Sequence, residues 1–410
     1  MTDLPQHLAA AFLVSNHNPL YVLDLWPRPY VGLTYLWAAL DFFLPLGWVP
    51  RLTLTAYAIG LVWAQRALLR ALDRDPRHLL FAPLLIHGWP LAYGFLPFVF
   101  ALPGVLWGLA LALDPRASKF VLAAVHALVL LFHPVAWALL LFLGLLAAPR
   151  RTALGALGAL PLLLSWALHP VPAEVLASDL EITTWWRLQI KHQVLDFALT
   201  YLNGHWDHLV AAPGLILLAV VFFQGLRQGA LDPGLRAFWG LVLLYLVAPA
   251  DLVLGSLRIS ILGPRLVHLG WLLLAANLRL PHARWHYLAT FSGAAFCVGL
   301  TWEYARFGER WAPHLELLTH LPKNARLWPQ VAPAAEPLYH PRLLGGAESH
   351  LHVYSVLAGA YDPGLFSTSQ SSVRISKHAP KDREQFDWVW VQTATSATLI
   401  QRPIRAVLTK

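Results

Sequence analysis

Asp3 and His7 stand four residues apart in Met1-Thr2-Asp3-Leu4-Pro5-Gln6-His7. On a helix that begins there they share one face. A carboxylate so placed can take a proton from a hydroxyl. The same spacing also fits a plain helix start, with Asp3 ahead of Pro5 and a surface histidine. A second set lies far along the chain. Arg258 and Arg265 flank the turn Gly255-Ser-Leu-Arg-Ile-Ser-Ile-Leu-Gly-Pro-Arg265. The planar guanidinium fork suits a phosphate oxygen pair. Snorkelling toward lipid headgroups is the alternative. Asp251 sits near the end of an apolar run, where a carboxylate is costly and is a functional candidate by default. An ion pair with Arg258 or Arg265 would also account for it. Asp41 and Glu303 make weaker cases of the same kind. His87, His133 and His169 fall near expected turns and could form a metal or proton site. With 19 histidines in the chain, chance placement explains them equally well.

The elements that must position these residues are apolar. Of 410 residues, 57% are hydrophobic and only 13% charged, against roughly 25% charged in soluble domains. That composition excludes a water-soluble enzyme and a disordered chain. The single cysteine, Cys297, excludes an internal disulfide and a Cys-based zinc site. There is no Walker loop, dinucleotide fingerprint, HExxH or GxSxG. About 20 apolar residues cross a bilayer core of about 30 Å. Candidate spans are 52–70, 95–113, 152–169, 209–226, 236–255, 265–279 and 286–305. Two longer runs are cut, 79–113 at His87-Gly88-Trp89-Pro90 and 119–148 at His133-Pro134, and each reads as two helices. The total is about ten spans; 29–47, apolar but carrying Asp41 and ending in Pro45, Gly47 and Pro50, stays open as an eleventh, and the ten-span reading requires that it lie along the surface or at least not cross.

The net charge of +8 follows this pattern. Arg66, Arg70, Arg74 and Arg77 close the first clear span. Arg116 and Lys119, Arg150 and Arg151, Arg227 and Arg236, and Arg279 and Arg284 fall in alternate loops. The positive-inside rule places these loops in the cytoplasm and leaves the turn with Arg258 and Arg265 outside. Basic residues that cap apolar helices argue against nucleic acid as a partner. Five stretches are therefore expected. Residues 1–51 form an external loop with juxtamembrane helices, and 52–169 a first transmembrane bundle. Residues 170–208 form an external loop, 209–305 a second bundle and 306–410 an external soluble domain. Within 170–208, Ile182–Leu202 is amphipathic, with Trp185 and Trp186 beside Arg187, Lys191 and His192, as suits an interfacial helix. The tail is expected to be small and α/β or β-rich, with strands at Asn324–Trp328, Leu351–Leu357 and Asp387–Val391.

Asp-Leu-Pro-Gln-His-Leu-Ala-Ala-Ala, then Pro27, Pro29 and Tyr30, then Arg66–Arg70, resembles the GT-C superfamily of multi-spanning glycosyltransferases. Protein O-mannosyltransferases and aminoarabinose transferases are members of that superfamily. The broken helix pairs, the long external loop and Phe386-Asp387-Trp388-Val389-Trp390-Val391 in the tail share the likeness. It implies an all-α polytopic fold in a bacterial inner membrane with a periplasmic C-terminal domain. It also implies a polyprenyl-phosphate sugar donor, with membrane lipids around it. Asp3, with His7 beside it, takes the place of the family's acidic base or metal ligand. Arg265, with Arg258, Asp251 and Lys191, takes the substrate-binding role. The cofactor is left open, a divalent cation being the candidate. The family normally has a helix before its first external loop, and this sequence opens within that loop. A non-catalytic membrane subunit of the same shape and a transporter or flippase are the other function classes. Against a transporter, the two breaks lie close together and not in matching halves.

Overall fold

The computed structural model describes residues 4–16, 18–24, 26–169, 223, 232–248, 252–254, 257–259, 262–278, 284–331, 347–363, 373–375, 379–380, 385–392 and 396–401. The described chain is mostly helical, with a small mixed sheet of three strands. It divides into two compact units that interleave in sequence. One comprises 1–25, 34–50 and 301–410, and the other 26–33 and 51–300.

The second unit is built on α3 (Val49–Ala71), α4 (Ala82–Ile86), α5 (Trp89–Tyr93), α6 (Leu96–Leu113), α7 (Lys119–Phe132) and α8 (Pro134–Ala147), with a 3-10 turn at Pro76–Phe81 before α4. It continues through α9 (Pro149–Ala156), a 3-10 turn at Leu157–Ala159, and α10 (Leu160–Leu168). After the α11 helix (Pro233–Val247) come β2 (Leu252–Leu254), β3 (Leu257–Ile259), α12 (Leu262–Asn277) and the first half of α13 (Arg284–Thr319). Three helical stretches are long and apolar enough to cross a membrane: Val49–Ala71, Leu96–Leu113 and Pro149–Leu168. At 1.5 Å per residue they reach about 27–35 Å. They coincide with the expected 52–70, 95–113 and 152–169.

The other expected spans do not combine this length with this apolar composition among the described residues, and for the interrupted runs the breaks explain why. The run 79–93 is one 3-10 turn and two five-residue helices. Gly88 is extended and Gly94 left-handed, with φ 97°, so the chain turns twice within seven residues. His133-Pro134 cuts the next run as expected, leaving α7 and α8 with 14 residues each. The predicted helix 236–255 stops at Val247, because Pro249 forces Ala248 into extended geometry. Residues 252–254 and 257–259 then pair as an antiparallel hairpin, Val253 opposite Arg258. The predicted 286–305 lies inside α13, which runs on for 36 residues to Thr319. Residues 32–41 form α2 (Gly32–Asp41), ten residues long and too short to cross. The predicted span 209–226 (Phe223 apart) and the interfacial segment Ile182–Leu202 lie outside the described residues.

The α6 helix is apolar all round and packs against α7 and α8. The 3-10 turn after α9 meets α7 through Gly158. A Cβ there would come within 2.2 Å of the Ala123 carbonyl oxygen, so only glycine fits. Gln65 on α3 donates to the Leu272 carbonyl at 2.9 Å and ties α3 to α12.

In the first unit, α1 (Leu4–Ser15) packs against a 3-10 helix, Ala347–Ala358. The strand expected at Leu351–Leu357 is thus corrected to a 3-10 helix. Its two valines, Val353 and Val356, are both fully buried and three apart, which is the 3-10 repeat and not the strand repeat. The β1 strand (Tyr21–Leu23) pairs antiparallel with β5 (Val373–Ile375). The β4 strand (Leu327–Val331) runs parallel to β6 (Trp388–Gln392), and β7 (Ala397–Gln401) is antiparallel to β6. The strands expected near 324–328 and 387–391 are therefore present, each starting one to three residues later. Arg326 grips Asp387 with two bonds, Nε to Oδ2 at 3.1 Å and Nη2 to Oδ1 at 2.9 Å, at the start of the parallel pair. Ala9, Leu13, Tyr21, Val353, Val356 and Phe386 form one apolar cluster, so N-terminal and C-terminal residues share a core.

Two outcomes follow from this packing. Gly158→Ala should lower thermal stability by about 1–3 kcal/mol, read as a reduced melting temperature in detergent. An unchanged melting temperature would show that α7 yields there. Burial, then the Asp362 charge, pushes the Tyr361 phenol up to about 12, and burial holds Tyr21 well above the usual value of 10.0. A raised phenol pKa stabilises fully below pH 10 and is lost as pH climbs through the folded value. Tyrosinate absorbance should therefore show three late phenols in the first unit, Tyr21, Tyr354 and Tyr361, that ionise together with loss of its structure as pH rises from about 10 toward 12.

Candidate functional site

The helix breaks of the second unit bring together four of its buried polar groups, Arg265, His87, His133 and His268. Arg265 lies in the first turn of α12 and is 7% exposed. Its Cζ stands 4.2 Å from the centre of the Phe95 ring and 5.7 Å from that of Phe98. Phe95 is the joint between α5 and α6, set by the left-handed Gly94 just before it. Phe98 also meets His133 edge-on at 5.3 Å, and His133 meets Tyr30 at 5.2 Å. His133 lies near enough to Arg265 to feel its charge.

His133 has a structural duty as well. Its Nδ1 accepts from the backbone N–H of Val135 at 3.2 Å and of Ala136 at 3.4 Å, and so caps α8. That leaves Nε2 as the N–H donor of a neutral ring. One turn on from Arg265 is His268, 1% exposed. Gly88 lies against it, so close that a Cβ would be 2.1 Å from His268 Nδ1. His87, buried beside Gly88, faces Phe296 with ring centres 6.2 Å apart. The carbonyl of Ile86, freed where α4 stops, accepts from the Tyr57 hydroxyl at 2.9 Å.

A helix N-terminus carries about half a positive charge, which normally disfavours a cation. Here a buried guanidinium sits in the first turn, with imidazoles nearby and aromatic faces over it. The helix field adds to the guanidinium charge and favours an anion, while the Phe95 and Phe98 faces offset part of that charge. A phosphate group matches the fork of Arg265 and the exposed N–H groups of a first helical turn.

The other sequence candidates are placed as follows. His7 lies on α1 in the first unit, half-buried, with its ring 6.4 Å from that of Trp37 and edge-on to it. Arg265 belongs to the second unit, so the two fall in different units. The backbone of Arg258 is in β3, opposite Val253, and its side chain lies outside the description. Asp3, Asp251 and Lys191 lie outside the described residues. Asp41 ends α2, and Glu303 stands 4.0 Å from Arg306 on α13. His87 and His133 flank the Arg265 region, but His169 stacks on Trp26 at 4.9 Å. Among the described residues no three His, Cys, Asp or Glu side chains converge as metal ligands. His87, His133 and His169 thus do not form the metal site that their sequence positions left open.

Sequence reasoning missed His268, Phe95 and Phe98. The signal for His268 was present, since it lies three residues after Arg265 on the same helix face. Phe95 and Phe98 became partners only through the fold at Gly94. A second buried polar group was also missed. His352 Nδ1 lies 2.6 Å from Asp362 Oδ2, and Ser355 donates to the same oxygen at 3.5 Å. The Tyr21 hydroxyl donates to the Asp362 carbonyl at 3.0 Å and accepts from its N–H at 2.8 Å. Ser355 bonds the carboxylate and not the imidazole, so this group is a clamp on β1 and not a nucleophilic triad.

Comparison with protein families, curated proteins and solved structures finds no match for the chain. The site therefore rests on its own geometry. His133→Ala, which removes the α8 cap, should cost about 0.5–2 kcal/mol of stability, while His133→Asn should keep most of it. Equal losses for both, measured by thermal unfolding, would show that the ring packing and not the cap is what matters.

Proposed function

We propose that this protein is a multi-pass membrane glycosyltransferase of GT-C type. In this reading it moves a sugar from a polyprenyl-phosphate donor to an acceptor hydroxyl at the external membrane face. The observation that carries the reading is Arg265: a guanidinium buried to 7% exposure, in the first turn of a helix, beneath Phe95. Three helices with the length and composition of membrane spans support the setting.

The chemistry needs a base, a cation and a lipid-facing site. Asp3, with His7 beside it, takes the proton from the acceptor hydroxyl. The acceptor oxygen bonds to the anomeric carbon as the bond from that carbon to the lipid phosphate breaks. The phosphate leaves with the electron pair, and Arg265 stabilises its charge. Arg258, Lys191 and Asp251 complete the substrate contacts. The remaining apolar runs, the external tail and the bacterial inner membrane belong to the same proposal.

The test is sugar transfer from a radiolabelled polyprenyl-phosphate donor by purified, lipid-reconstituted protein. Arg265→Ala and Asp3→Asn should each reduce turnover by about a hundred-fold or more. Arg265→Lys should fall between, because a point charge lacks the fork. Melting temperatures should stay near wild type. Full activity in a folded Arg265→Ala protein contradicts the reading.

A further inference from the structure

A second basic feature lies away from Arg265. Arg66 and Arg70 are four apart on α3, and both are exposed. Neither makes a hydrogen bond or ion pair among the described residues. Both line a groove of about 600 Å³ between α3, α6 and α7. Gly60, Trp63 and Ala67 lie on the same α3 face as the arginines. Phe100 and Trp107 on α6 and Phe132 on α7 complete the wall. Trp63 is 72% exposed and Trp107 46%. Among the described residues no acidic side chain lines the groove.

The shape and the charge select an occupant. Arg70 stands one residue from the end of α3, so the charged end opens at the membrane surface if α3 crosses. From Arg70 to Gly60 the groove follows α3 for about 15 Å. That is one leaflet's share of a core of about 30 Å. The described lining offers these two arginines no carboxylate, so the occupant has to bring the anion. A lipid brings its own anion and its own chain.

We propose that this groove binds one anionic glycerophospholipid. Its phosphate lies between Arg66 and Arg70, and one acyl chain runs past Trp63 toward Gly60 and Phe100. A zwitterionic headgroup fits less well, because its ammonium meets two cations. The inference rests on the reading of α3 and α6 as membrane spans, and not on the transferase activity.

The test is native mass spectrometry of the full-length protein in detergent, titrated with phosphatidylglycerol or phosphatidylcholine. Wild type should bind one phosphatidylglycerol on the order of ten-fold tighter than phosphatidylcholine. Arg66→Gln with Arg70→Gln should erase that difference. Gly60→Leu, which fills the groove and leaves its charge, should weaken binding of both lipids. Arg265→Gln should leave the preference intact, separating this site from the proposed donor site. Equal affinity for the two lipids in wild type overturns the proposal, as does a preference that survives in the double variant. If cell fractionation finds the chain in the soluble fraction, the membrane reading fails and the groove with it. If the chain fractionates with membranes and shows no lipid preference, only the groove fails.

Discussion

Where an apolar helix stops, its last carbonyls and the next helix's first N–H groups lose their partners. In an apolar setting each must be satisfied within the protein. The second unit is organised by this constraint. His133 serves the N-terminus of α8 with its ring nitrogen. Tyr57 serves the end of α4. Asp232 accepts from Leu235 at the start of α11 and is also paired with Arg74. Asn277 closes α12 by donating to Leu273 at 2.7 Å. Several of the buried polar residues sit at such ends and joints, Arg265 and His268 beside Gly88 and Gly94 among them, while Gln65 and His126 are buried within α3 and α7.

A place that gathers polar groups for structural reasons can also serve chemistry. His133 shows the overlap: its Nδ1 caps α8, while its ring meets Phe98, which also faces Arg265. The first unit solves the same problem without an evident ligand. Asp362, with no exposure, is held by His352 and Ser355, and its backbone by Tyr21. Those bonds hold β1 to the C-terminal segment.

The three long helices were legible because unbroken apolar length is a one-dimensional property. The break at His133-Pro134 was legible for the same reason, since proline acts locally. What apolar content hides is where a run ends. Ala248 is extended because a proline follows, and a hydrophobic Leu252–Leu254 then pairs as a strand although its composition suits a helix equally. The 3-10 helix at Ala347–Ala358 was misread because valines favour strands on average, while their spacing of three was the stronger evidence. Arg265 stood out as an arginine on the side where topology does not call for one. Its aromatic cover and His268 needed the third dimension, because Phe95 reaches Arg265 from the joint between α5 and α6.

The central claim is that Arg265 forms an anion site in an apolar setting. The most direct measurement is the affinity of the purified protein for a short polyprenyl phosphate, against the uncharged polyprenol of the same length. Arg66 and Arg70 should be replaced in the background, so that only the α12 site is read. Tighter binding of the phosphate by at least about ten-fold, lost in Arg265→Gln, is the result this account requires. Equal affinity for the two lipids, or a phosphate preference that survives Arg265→Gln, would contradict it.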